Sequence, residues 1–247
     1  MPRCASAWRA TSPPCDRAAV SEWWTYTPAD FLMFAPRIYW RLFEALNRGT
    51  WPAAVLAPLA GLAWLAWVQR EAARPGPRAA TLAAVGLALA WAASALAFLK
   101  PLLAPIHWPA DHVVPWFVVQ AALLLVMAAV GGLRAAPWAV QRRAGLVLLG
   151  YALLLHPLWP LLDGRPWRQA EVFGLAPDPT AIATLGVLQL LQATTPSRRW
   201  LCRAAWALPL GWCVLSAATL WTMGSAQGGA PAGAVVLALL ARGRRSL

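Results

Sequence analysis

The sequence predicts an all-α polytopic membrane bundle of about seven transmembrane helices, preceded by an N-terminal interfacial amphipathic helix. Three observations carry that prediction. Hydrophobic residues make up 60% of the 247 residues and mean hydropathy is +0.54, more than a soluble core requires. From Trp51 onward the chain falls into apolar stretches separated by short loops. Those loops alternate between arginine-rich and arginine-poor, as expected of helices that cross a bilayer in alternating directions.

Residues 1–19 carry Pro2, Arg3, Arg9, Pro13, Pro14 and Asp16 and no apolar core, so they do not read as a cleavable secretory signal. They read as a disordered leader. The character changes at Val20, and translation is expected to begin there rather than at Met1. Residues 20–50 read as an amphipathic interfacial segment. After Pro36, the charged residues Arg37, Arg41, Glu44 and Arg48 are spaced four, three and four apart, which gathers them on one helix face. Ile38, Tyr39, Leu42, Phe43 and Leu46 fill the other face. So short a helix cannot span, and it is expected to lie in the interface with its aromatics in the acyl boundary.

Residues 51–241 form the predicted bundle, with apolar segments at 51–68, 81–99, 113–130, 144–162, 180–193, 204–223 and 229–241. Five of them run 18 to 20 residues, enough for the hydrocarbon core. The fifth and seventh, at 14 and 13 residues, must tilt, thin the bilayer or borrow flanking residues. Arginine placement argues that both cross. With seven crossings, one side's short loops and the basic tail 242–247 hold twelve arginines, and the opposite loops hold only Lys100, Arg165 and Arg168. Removing the fifth crossing gives six against nine, and removing the seventh gives nine against six. The orientation that follows is N-terminus outside and C-terminus cytoplasmic. Arg37, Arg41 and Arg48 of the N-terminal arm run against it.

The formal charge of +12 would raise nucleic acid as a partner of a soluble protein. Here the arginines flank apolar segments, so the expected partners are the bilayer and anionic lipids at the cytoplasmic face, with no nucleic acid. A protein partner or a second copy stays open. The four cysteines form no metal or disulfide pattern, since Cys202 and Cys213 lie about 16 Å apart along one helix. Most of the 17 tryptophans fall near segment ends, where indole anchors at head-group level.

On this topology the acidic residues Asp30, Glu44, Asp111, Asp163, Glu171 and Asp178 lie on the outer side, together with His107, His112 and His156. His107, Asp111 and His112 are the candidate metal ligands, because imidazole and carboxylate suit zinc and similar ions. Pro109 breaks the helical register between the two histidines, and simple tolerance of acids on that side is the plainer reading. His156 sits within an apolar stretch and is either a packing histidine or a proton relay. In Pro177-Asp178-Pro179-Thr180 the aspartate suits an N-cap and Pro179 the first helical position. A second reading has residues 172–176 dipping into the membrane ahead of a broken helix. Arg37, Glu44, His156, Asp163, Arg165, Glu171 and Asp178 are therefore the polar residues available for function. No catalytic or cofactor-binding residue is assigned, no cofactor is expected, and no phosphate loop or nucleophile elbow occurs.

Ser21-Glu22-Trp23-Trp24-Thr25-Tyr26, Asp30-Phe31-Leu32, the run from Pro36-Arg37 to Asn47, the run from Glu171 to Ala181 and Leu220-Trp221-Thr222-Met223-Gly224 together resemble an uncharacterised bacterial membrane-protein family, the domain of unknown function 6064. The similarity runs from about Val20 to near the end. It implies a multi-span inner-membrane protein and supplies no activity. Three classes of function stay in view: a structural or accessory membrane component, favoured because charges within spans are scarce; a small transporter or channel; and a membrane-embedded enzyme with an outer His/Asp/Glu site.

Overall fold

The computed structural model describes residues 26–27, 30, 32–70, 77–135 and 139–243. The leader and the proposed start at Val20 lie outside the described residues. Within the separate unit 1–31, the Asp30 carboxylate accepts hydrogen bonds from the Thr27 amide and hydroxyl, which hold its pKa below the usual value.

The rest of the described chain consists of helices joined by turns, with one short ladder. Helix α1 spans Pro36–Gly49, α2 Ala53–Arg70, α3 Pro77–Leu103, α4 Pro109–Val130 and α5 Ala139–Leu162. Helix α6 spans Pro177–Leu190, α7 Pro196–Thr222 and α8 Gly229–Gly243. Among the described residues, four stretches are long and apolar enough to cross a membrane: Pro77–Leu103, Pro109–Val130, Ala139–Leu162 and Arg198–Thr222. The number becomes five if α1 and α2, bent by 85° at their junction, count as one broken span.

Helix α1 starts at a proline that has no amide to lose, after an extended Ala35. Its charged face is outward, with Arg37, Arg41 and Arg48 exposed, as its spacing requires. The other face departs from expectation. Tyr39, Trp40, Phe43 and Leu46 are buried in protein, and Phe43 stacks on Phe98 of α3 with ring centroids 4.6 Å apart. Protein aromatics offer this face a tighter fit than acyl chains do.

Two helices change pitch where proline removes an amide. In α3 the turns widen to π spacing over Ser94–Leu103, around Pro101. In α5 they widen over Tyr151–Leu155 and then tighten over His156–Leu158, which contains Pro157 and precedes Pro160. Proline inside α7 has a different remedy. Pro209 cannot bond the Ala205 carbonyl, and the buried Gln120 of α4 donates to that oxygen at 3.0 Å.

Helix α6, the short fifth segment, is the centre of the bundle, and all its residues from Pro177 to Leu190 are buried. At its far end the chain forms β2 (Leu191–Ala193), antiparallel to β1 (Leu133–Ala135), with Leu133 opposite Ala193. At the same end Gln141 of α5 donates to the Ala241 carbonyl and Gln189 of α6 to the Ala238 carbonyl, both in α8. The end of α4, the start of α5, the end of α6 and the end of α8 are thus tied together. The opposite end gathers the end of α5, the start of α6 and the turn before α8.

Candidate functional site

At that opposite end, residues far apart in sequence converge on one buried polar centre. The pitch change in α5 delivers His156, the chain between α5 and α6 delivers Glu171, and the first turn of α6 delivers Asp178. Each is at most 2% exposed. One ligand-capable atom from each lies within 4.8 Å of the other two. His156 Nε2 stands 3.3 Å from Glu171 Oε2, and His156 Nδ1 has no hydrogen-bond partner among the described residues.

Neighbouring groups hold the two carboxylates. Gln227, in the turn before α8, donates to Glu171 Oε1 at 2.6 Å. Trp212 Nε1 donates to Asp178 Oδ1 at 2.7 Å, and the Ser216 hydroxyl, one turn further along α7, donates to Oδ2. In every one of these contacts the carboxylate oxygen is the acceptor. The centre thus places two carboxylates and one imidazole together in the interior.

Arg165 is the cation nearest in the network, and it is one step removed. It donates to Asp163 Oδ2 at 2.8 Å and to Gln227 Oε1 at 2.8 Å, while its guanidinium lies over the Trp40 ring at 3.6 Å. Its charge is matched by Asp163, so Gln227 relays orientation to Glu171 rather than charge. Tyr151 meets the His156 ring edge-on at 5.7 Å, and its hydroxyl accepts from Trp159 Nε1.

Five sequence candidates, His156, Asp163, Arg165, Glu171 and Asp178, thus belong to one network. Asp178 does not act as an N-cap. Ala176 occupies the cap position, Pro177 begins the helix, and the carboxylate turns to α7 instead. Residues 173–176 form a turn ahead of α6, in which Gly174 adopts φ +90° and its amide donates to Thr180 Oγ1.

Arg37 and Glu44 lie outside the network. Arg37 is exposed on α1 and Glu44 pairs with Arg48 at 2.9 Å. His107, Asp111 and His112 are not among the three-ligand groups of the described residues. Asp111 pairs with Lys100 at 2.6 Å, His112 meets Trp108 edge-on, and His107 meets Phe34 edge-on with its pKa lowered by burial. Cys202 and Cys213 are not bridged.

Trp212, Ser216 and Gln227 escaped the sequence reading. Their signal is faint: Trp212 and Ser216 are four apart, on one face of an otherwise apolar helix, and Gln227 is a lone amide in a turn.

No curated protein and no solved structure matches the chain. The sequence model of a family of unknown function, DUF6064, matches residues 36–245, so the Glu171–Ala181 run and the whole polar centre lie inside the matched region while the Ser21–Tyr26 run lies before it. The chain belongs to this family of unknown function, DUF6064.

Proposed function

We propose that the chain is an integral membrane protein of the bacterial inner membrane, crossing seven times with its N-terminus outside, and that its His156–Glu171–Asp178 centre binds one divalent transition-metal ion. The first part is supported by apolar surface that water would not tolerate. Leu89, Leu96, Val119, Leu154, Leu162 and Leu240 are each at least half exposed, on helices all round the bundle. Exposed Trp51, Trp108 and Trp167 lie in the turns of the end that holds the polar centre, a level that suits an interfacial belt. The shared end of β1 and β2 suits a fifth segment that crosses despite its length, because its start and finish fall at opposite ends of the bundle. On this topology the centre lies in the outer half of the membrane.

The metal reading rests on one observation: an imidazole and two carboxylates, all buried, present donor atoms within 4.8 Å of one another. Ligands of a tetrahedral zinc ion at about 2.0–2.1 Å stand about 3.3 Å apart. The His156–Glu171 separation is 3.3 Å, long for a charged hydrogen bond and suited to a shared ion. A divalent cation would also cancel the two carboxylate charges, removing the cost of burying them. Bonds from Gln227, Trp212 and Ser216 are of the kind that orient metal ligands. So many polar groups buried together weigh against a purely accessory role.

Calorimetric titration of the chelator-treated full chain in detergent with zinc tests this reading. Wild type is expected to bind one equivalent, and Glu171→Gln and Asp178→Asn none. Absence of binding by wild type removes the metal from the account.

A further inference from the structure

A groove of about 830 Å³ runs beside the centre, within the size range of specific ligand sites. Its back wall includes Pro157, Ala170 and Val172, the chain neighbours of His156 and Glu171. Its lining is divided by chemistry. Val55 and Leu59 of α2 and Leu154 and Leu158 of α5 line the apolar part, and all four are exposed by more than a third. Glu44, Asn47, Arg48 and Arg168 form the polar rim.

That rim carries both signs of charge in one place. The Arg168 guanidinium has no hydrogen bond or ion pair among the described residues, and Arg48, which pairs with Glu44 at 2.9 Å, lines the same groove. Glu44 supplies the anion. The Asn47 amide nitrogen donates to the carbonyls of Arg168 and Ala170 at 3.0 and 2.8 Å, which fixes the side chain. Its buried Oδ1 accepts nothing. Guanidinium suits a phosphodiester. A carboxylate suits a primary ammonium, which must donate. Apolar walls leading away from such a rim suit acyl chains.

We infer that this groove binds one phospholipid with a primary-amine head group, its phosphate at Arg168 and Arg48, its ammonium at Glu44, and its chains between α2 and α5. The inference rests on the membrane reading above and is independent of the metal.

The test is native mass spectrometry of the delipidated full chain in detergent, titrated with dioleoyl phosphatidylethanolamine, dioleoyl phosphatidylglycerol or dioleoylglycerol. Wild type retains one phosphatidylethanolamine, at least about tenfold more tightly than either comparator. Arg168→Gln loses about tenfold of that affinity. Leu154→Trp and Leu158→Trp, which fill the groove from its exposed wall, lose retention; each counts only if its thermal transition matches wild type. No retained lipid, equal retention of either comparator, undiminished retention in the folded tryptophan variants, or a dimer that falls apart in those variants without any lipid mass overturns the proposal. A chain that stays monodisperse without detergent would sink the membrane reading instead, and metal content in the same samples is read separately.

Discussion

Gly145 of α5 and Gly186 of α6 meet backbone to backbone: a Cβ on Gly145 would stand 2.7 Å from the Gly186 carbonyl oxygen, and one on Gly186 would stand 2.9 Å from the Gly145 carbonyl oxygen. On the membrane reading proposed above, where no hydrophobic effect acts between helices in lipid, such close approach is a main source of packing energy. Gly186→Val is expected to cost at least about 1–3 kcal/mol, because backbone cannot move aside as a side-chain tip can. Gly211→Ala, with open space at its Cβ, is expected to be neutral or to stabilise by up to about 1 kcal/mol. Thermal unfolding of both variants in one detergent decides between a crossing at these glycines and a general sensitivity to added methyls.

Pro209 and Gln120 act as a pair, since the amide of one helix replaces the bond that the proline of another cannot make. Gln120→Leu should cost about 1–3 kcal/mol by leaving the Ala205 carbonyl unsatisfied. In a Pro209→Ala background the backbone regains its own donor, and the same change should cost much less. A double-mutant cycle that shows strictly additive effects would contradict this coupling.

Trp212 and Ser216 hold Asp178 without being ligands themselves. Trp212→Phe and Ser216→Ala should therefore weaken zinc binding by about 10–100-fold, whereas His156→Ala should abolish it. Equal loss in all three, or no loss in the first two, would reassign their roles. The readout is the zinc dissociation constant at fixed pH.

Sidedness follows from the same map. In a cysteine-free background, Asp163→Cys should react with a membrane-impermeant maleimide applied from outside. Arg143→Cys should react only after permeabilisation. Both positions are exposed, so failure to label would not reflect burial. Labelling of the two from one compartment would break the alternation on which the topology stands.

The helical class was legible because apolar segments of this length leave backbone groups no partner but their own helix. Proline and charge spacing marked α1, yet which surface its aromatic face would cover was not legible: Phe43 finds Phe98, fifty-five residues on, and no periodicity names a partner. The short fifth segment looked marginal by length and is the most buried helix, since a central helix can be short when its neighbours supply the outer rim. Polar residues in apolar surroundings drew notice at His156, Glu171 and Asp178. Asp178 was read through local capping rules, and the competing partners that claim it, Trp212 and Ser216, lie more than thirty residues away. His107, Asp111 and His112 are near in sequence, but Lys100, Phe34 and Trp108 engage them separately.

X-ray absorption at the metal edge of the zinc-loaded full chain tests the buried centre most directly. A shell of nitrogen and oxygen at about 2.0–2.2 Å with the signature of one imidazole is expected, and that signature should vanish in His156→Ala. Sulfur at about 2.3 Å, several imidazoles, or a spectrum unchanged by His156→Ala would contradict the account.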